Sequence, residues 1–210
     1  RDIDVRRAVH SKILKEHHKD PSTLIIDEFT MNLGASRADI AVINGLMHGY
    51  ELKSKSDNLL RLPKQIEHYS SIMDKVTLVV SECHAESALE MIPSWWGVKV
   101  VTQGLRNGIH LQTVRSDKRN PSIDKLSLSM LLWKDELLSI LKSVGQERGL
   151  KSKPRKFLWM LLADTLQADE LRSIVRETLK ARKIGELMYD LSYMVVLSNP
   201  SPYLWTTKFM

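Results

Sequence analysis

The sequence predicts an α/β fold in which a mixed central sheet is flanked by helices. Short runs rich in β-branched and apolar residues recur at Thr23–Met31, Ala38–Ile43, Met47–Ser54, Val76–Ser81, Val98–Val101 and Ile109–Val114, the pattern of strands. Around them lie stretches with apolar residues three and four apart, the pattern of helices. The first three runs are joined by short links, which suits antiparallel pairing. Val76–Ser81 follows a helix long enough to cross over, which suits parallel pairing.

Residues 2–19 read as the first helix, with Val5, Val9 and Ile13 on one stripe, and Asp20-Pro21-Ser22 ends it. Asn44-Gly45 is a favoured hairpin turn between the second and third strands. Pro63 suits the first turn of a second helix running to about Met73. Val76–Ser81 is almost continuously apolar, as expected of a strand covered on both faces. Ala85–Met91 reads as a short helix. Past Asn120-Pro121 strand character disappears until Met194. Lys125–Lys142 is amphipathic through Leu128, Leu131, Leu132, Leu138 and Leu141, and Arg155–Leu166 and Asp169–Arg182 read as two more helices. The expected organisation is a core over 1–119, a basic helical subdomain over 120–184 and a C-terminal extension over 185–210.

Composition narrows the function classes. No stretch of the 210 residues approaches the roughly 18 apolar residues of a membrane helix, so no membrane partner is expected. Arg1–His10 carries charges where a secretory signal would carry an apolar core, and the single cysteine, Cys83, excludes an internal disulfide and a multi-cysteine zinc site. A reduced, cytoplasmic setting follows as the expectation. No phosphate loop or dinucleotide fingerprint supports a metabolic enzyme. The net charge of +6, with a pI near 9.4, favours polyanionic partners and nucleic acid first among them.

Three pieces carry chemistry. Arg37-Ala38-Asp39 falls on the second strand, Glu51-Leu52-Lys53 on the third, and Gln65-Ile66-Glu67-His68-Tyr69 on the second helix. Two residues apart on a strand, Glu51 and Lys53 point to one face, and the hairpin brings Asp39 beside them. Two carboxylates meeting there repel and resist burial unless a cation joins them. A Mg²⁺ or Mn²⁺ ion bound by Asp39, Glu51 and the Leu52 carbonyl removes the conflict and activates a water. Lys53 then assists that water, and Gln65, sharing a helix face with Tyr69, positions water or phosphate.

This layout resembles the PD-(D/E)XK (restriction-endonuclease-like) nuclease superfamily, whose core is helix, three strands, helix, strand. The resemblance covers about residues 2–82, and Gln65-x-x-x-Tyr69 looks like the helix motif of its RecB-type, Holliday-resolvase-like branch. Gly34–Asn44, His48–Ser54, Arg61–Tyr69 and Pro93–Gly97 also resemble a small bacterial family of that superfamily. The resemblance implies a metal-dependent nuclease cutting phosphodiester bonds, DNA before RNA, with Asp39, Glu51, Lys53 and Gln65 catalytic. An endonuclease in DNA repair, mobile elements or defence is the setting it suggests. Ala38 stands where the family has its proline. Asp2, Asp4 and Glu16 do not match a first-helix glutamate found in many relatives, so Glu28 is taken as its stand-in. Tyr69 and Ser54 are taken as further contacts.

A second reading competes with it: a module of that fold that binds nucleic acid or a protein without cutting. Arg155, Lys156, Arg172, Arg176 and Lys180 are the candidates for backbone contacts on the helices beyond residue 150, where nine Lys/Arg face four Asp/Glu over Lys151–Lys183. Trp95-Trp96 is read as a structural clamp before a base-stacking platform, His48 and His68 as packing or surface residues, and Cys83 as inert. Oligomeric state is left open, a homodimer included.

Overall fold

The computed structural model describes residues 2–104, 108–146 and 148–182. These residues form one six-stranded sheet in chain order: β1 (Leu24–Met31), β2 (Ser36–Ile43), β3 (Met47–Lys53), β4 (Lys75–Ser81), β5 (Gly97–Gln103) and β6 (Ile109–Arg115). β1, β2 and β3 are antiparallel, β3, β4 and β5 parallel, and β6 antiparallel to β5. The sheet is thus mixed, as the lengths of the links require. The two parallel joins are made by α2 (Leu62–Ile72) and α3 (Glu82–Met91).

Alternation along the strands builds two cores. Ile40, Val42, Tyr50, Leu52 and Val79 turn to the face covered by Val5, Val9 and Leu14 of the N-terminal segment. Ala41, Ile43, Leu78, Val80, Val98 and Val100 turn the other way, to α2 and α3. Because β4 feeds both cores, its sequence is a run of apolar residues and not an alternation.

The first helix is not continuous. α1 (Asp2–Ala8) widens into a π turn over Val9–Ile13, where the Leu14 N–H donates to the Val9 carbonyl at 3.0 Å. That five-residue step lets Val9 and Leu14 both be fully buried, where regular α spacing would turn one aside. The long helix expected over Lys125–Lys142 is likewise two: α4 (Lys125–Ser129) and α5 (Lys134–Ser143). Glu136 accepts the Trp133 N–H at 2.7 Å and is gripped by Arg182, which starts a fresh helix without any Pro or Gly.

α4, α5, α6 (Arg155–Thr165) and α7 (168–182) do not stand apart from the sheet. Leu128, Leu141, Leu158, Leu162, Leu171 and Val175 join Tyr69, Leu78 and Trp96 in one apolar cluster. Asn120, at the expected boundary, donates its amide to the carbonyls of Ser70 and Met73 at 2.8 and 2.9 Å. The expected extension 185–210 lies outside the described residues. No helix of the described residues is long and apolar enough to cross a membrane.

Candidate functional site

The strand period brings Glu51 and Lys53 to the face covered by α2, where Gln65 and Tyr69 meet them. Lys53 Nζ donates to Glu51 Oε1 at 2.7 Å and to Gln65 Oε1 at 2.9 Å, and Gln65 Nε2 donates to Glu51 Oε1 at 2.6 Å. Tyr69 donates its one hydroxyl hydrogen to Glu51 Oε2 at 2.7 Å, with the Tyr50 carbonyl farther off at 3.2 Å. Burial pushes the Glu51 carboxyl up from its ordinary value, and Lys53, Tyr69 and Gln65 pull it part of the way back. Burial and the charges of Glu51 and Asp39 hold the Tyr69 phenol well above its usual range. Gly49 makes room for this: a Cβ there would lie 2.7 and 2.8 Å from the Tyr69 ring.

Asp39 stands just past the last β2–β3 pair, Ile40 with Tyr50. Its Oδ2 accepts the Leu52 N–H at 2.7 Å, taking the place of a ladder partner. Arg6 of α1 approaches from the opposite side. It donates to the Asp39 carbonyl at 2.6 Å, lies 3.3 Å from Asp39 Oδ1 and 2.6 Å from Glu28 Oε1, and is 3.9 Å from Asp27. Glu28 also pairs with Arg37 at 3.4 Å. Its backbone is left-handed, φ 55°, in the middle of β1, a strained state seen mostly where a site imposes it.

In this arrangement the site carboxylates are engaged by groups of the chain itself. Each oxygen of the Glu51 carboxylate accepts a hydrogen bond from this chain, and both Asp39 oxygens face donors or cations of it. Leu52 takes part through its N–H. Among the described residues no group of three His, Cys, Asp or Glu side chains is placed to hold a metal. The cation that relieves the repulsion is Arg6, and within the β3–α2 network it is Lys53. Among the described residues the site carboxylates are thus partnered by Arg6, Lys53, Gln65, Tyr69 and the Leu52 N–H.

A cleft of about 430 Å³ opens over this network. Arg37, Arg61 and Lys64 line it, exposed, together with Glu28, Asp39, Lys53 and Gln65. None of the five basic residues expected on the C-terminal helices lines it. Arg172 and Arg176 turn inward instead, 3.1 and 3.7 Å from the buried Asp74. Lys180 pairs with Glu177 at 3.3 Å, Arg155 lies over the Trp159 ring at 4.7 Å, and Lys156 is exposed. Ser54 is buried, donating to Asp57 at 2.6 Å. Trp96 is buried in the core beside Tyr69, the ring centroids 5.5 Å apart. Sequence reasoning missed Arg6, whose neighbours here are some twenty to thirty residues away in the chain. Arg37 and Arg61 stood in or beside the motifs, where basic residues draw no notice.

The profile of the family described as Bacteriophage P4 protein cII matches residues 3–189 of this chain. The chain belongs to that family. Protein cII of Enterobacteria phage P4 is 25% identical over 182 residues, spanning 87% of this chain and 67% of the phage protein. A solved protein of unknown function from Silicibacter pomeroyi is 16% identical, with a TM-score of 0.41 over 73% of this chain and 94% of its own, a likeness too slight to bear on the fold.

Membership of the cII family corrects the resemblance to the PD-(D/E)XK nucleases and, with it, the reading as a phosphodiester hydrolase in repair or defence. The physical reason is in the motif. Glu-x-Lys on any strand places acid and base on one face, and Gln-x-x-x-Tyr does the same on a helix. Such residues also satisfy one another as a buried polar network, as Glu51, Lys53, Gln65 and Tyr69 do here.

Proposed function

We propose that this cII-family protein binds DNA, seating a backbone phosphate in the cleft between β3 and the start of α2. The observation that carries this reading is the placement of Arg61 and Lys64. Arg61 is the N-cap of α2 and Lys64 lies in its first turn, which holds no acidic residue and has no side-chain cap. Both cations thus stand at the positive end of the helix dipole, an arrangement that lowers stability by roughly 0.3–1 kcal/mol per charge. Both are exposed, and among the described residues neither forms an ion pair. A phosphate in the cleft would relieve the two cations together. The inner charges are already matched, Lys53 with Glu51 and Arg6 with Asp39 and Glu28. They hold the floor of the cleft, and the outer cations supply the attraction. The net charge of +6 acts in the same direction at longer range.

Fluorescence anisotropy with a labelled duplex at several salt concentrations tests the reading. Replacing both Arg61 and Lys64 by Ala should weaken binding about tenfold or more and lower the salt slope by about one, for the one phosphate no longer neutralised. Equal affinity and slope for the wild type and the double variant would remove the cleft from DNA binding.

A further inference from the structure

A second and larger hollow, about 770 Å³, lies between α1 and the carboxyl ends of β3, β4 and β5. The volume is that of a small-ligand site.

Three cations border the hollow: Arg7 and Lys12 from the N-terminal segment and Lys55 from the turn after β3. Arg7 and Lys55 are exposed and, among the described residues, form no ion pair. Lys12 donates to the Ile109 carbonyl, which fixes its ammonium at the rim. Two carboxylates, Asp4 and Glu82, share the lining, as do the hydroxyls of Ser81 and Thr102. A ligand with phosphate at one end and hydroxyls on its body satisfies both sets, because carboxylates accept hydrogen bonds from hydroxyls.

We propose that this hollow binds a sugar phosphate of the kind a nucleotide carries, with Arg7, Lys12 and Lys55 on the phosphate and a carboxylate on the sugar hydroxyls. The site is separate from the DNA cleft and does not depend on it.

The chain carries its own reporter. Cys83 is its one cysteine, is exposed and lines the hollow. The rate of Cys83 alkylation by iodoacetamide, followed by mass spectrometry, is measured with nucleoside mono-, di- and triphosphates, the parent nucleosides, inorganic phosphate and a DNA duplex. At about four times its dissociation constant, a nucleoside phosphate should slow alkylation about fivefold. The parent nucleoside should not, and Arg7→Ala with Lys55→Ala should abolish the protection, read in each protein as the ratio of its own rates with and without ligand, while leaving the fold unchanged. The proposal is overturned if no nucleoside phosphate protects, or if protection persists in the double variant. It is equally overturned if inorganic phosphate protects as well as the nucleotides, or if only the duplex protects. Loss of DNA binding in Arg61→Ala with Lys64→Ala leaves this result untouched, so the two readings fail separately.

Discussion

Asp74 lies 3.1 Å from the guanidinium of Arg172 and accepts the Met47 N–H at 2.8 Å, joining α7 to the start of β3. The aspartate is 1% exposed. Its contact with Arg172 is an ion pair and not an aligned hydrogen bond, since Oδ1 and Nε each lack a bonded partner. Removing one partner of such a pair strands a buried charge, although Arg176, 3.7 Å away, remains. Arg172→Ala is therefore expected to lower stability by about 3 kcal/mol in urea unfolding. It should leave the DNA affinity of the folded protein unchanged, and a large affinity loss with intact stability would return Arg172 to the interface.

Glu51 and Lys53 form a second buried pair. Glu51→Gln alone should cost about 3–5 kcal/mol, because Lys53 is left without its counter-ion, and adding Lys53→Met should restore most of it. The sign with pH follows from the raised Glu51 value. The folded state holds the Glu51 proton longer than the unfolded chain, so the stability linked to this titration is full below the ordinary carboxylate range and is lost as pH rises toward the folded value, where the buried carboxyl must ionise beside Lys53. Urea midpoints across pH for the wild type and both variants check this. Equal stability of the single and double variants would show that the two side chains are not coupled.

His48 acts in the opposite sense. Burial, aided by Lys75 and opposed by Asp117, lowers its imidazole from 6.5 to about 4, and the neutral ring stacks on Tyr50 and bonds Thr77 at 2.9 Å. The unfolded chain takes up the proton first, so stability present above pH 6.5 is lost as pH falls toward about 4. His48→Gln should flatten that decline, and an unchanged slope would point to another group.

Arg6 gives a test of cation binding. Wild type should bind Mn²⁺ no tighter than about millimolar in calorimetry, because Arg6 occupies the space among Asp27, Glu28 and Asp39. Arg6→Ala should bind it measurably more tightly. Tight binding by the wild type would mean that Arg6 yields its place to the ion.

The sheet was legible because its strands are short apolar runs with turn signals between them, and the lengths of the links decided parallel from antiparallel. The meeting of Asp39, Glu51, Lys53 and Gln65 was legible because strand and helix periods are fixed by geometry. What they do there was not. Whether acids side by side recruit a metal or an arginine depends on which distant residue reaches them, and Arg6 lies 33 residues before Asp39. The breaks at Val9 and Trp133 were hidden for a similar reason. Both arise from packing and a side-chain cap, with no Pro or Gly to mark them.

The reach of Arg6 gives α1 a role beyond covering one face of the sheet. While α1 is docked, its guanidinium offsets one of the two negative charges that Glu28 and Asp39 bring to the cleft, and Arg61 and Lys64 stand at its mouth. Were α1 lifted away, by a fusion or a bound protein at the N-terminal end, those carboxylates would be bared together. The same opening would then hold an anion less firmly. The grip of the cleft on an anion is thus tuned from a helix that does not line it.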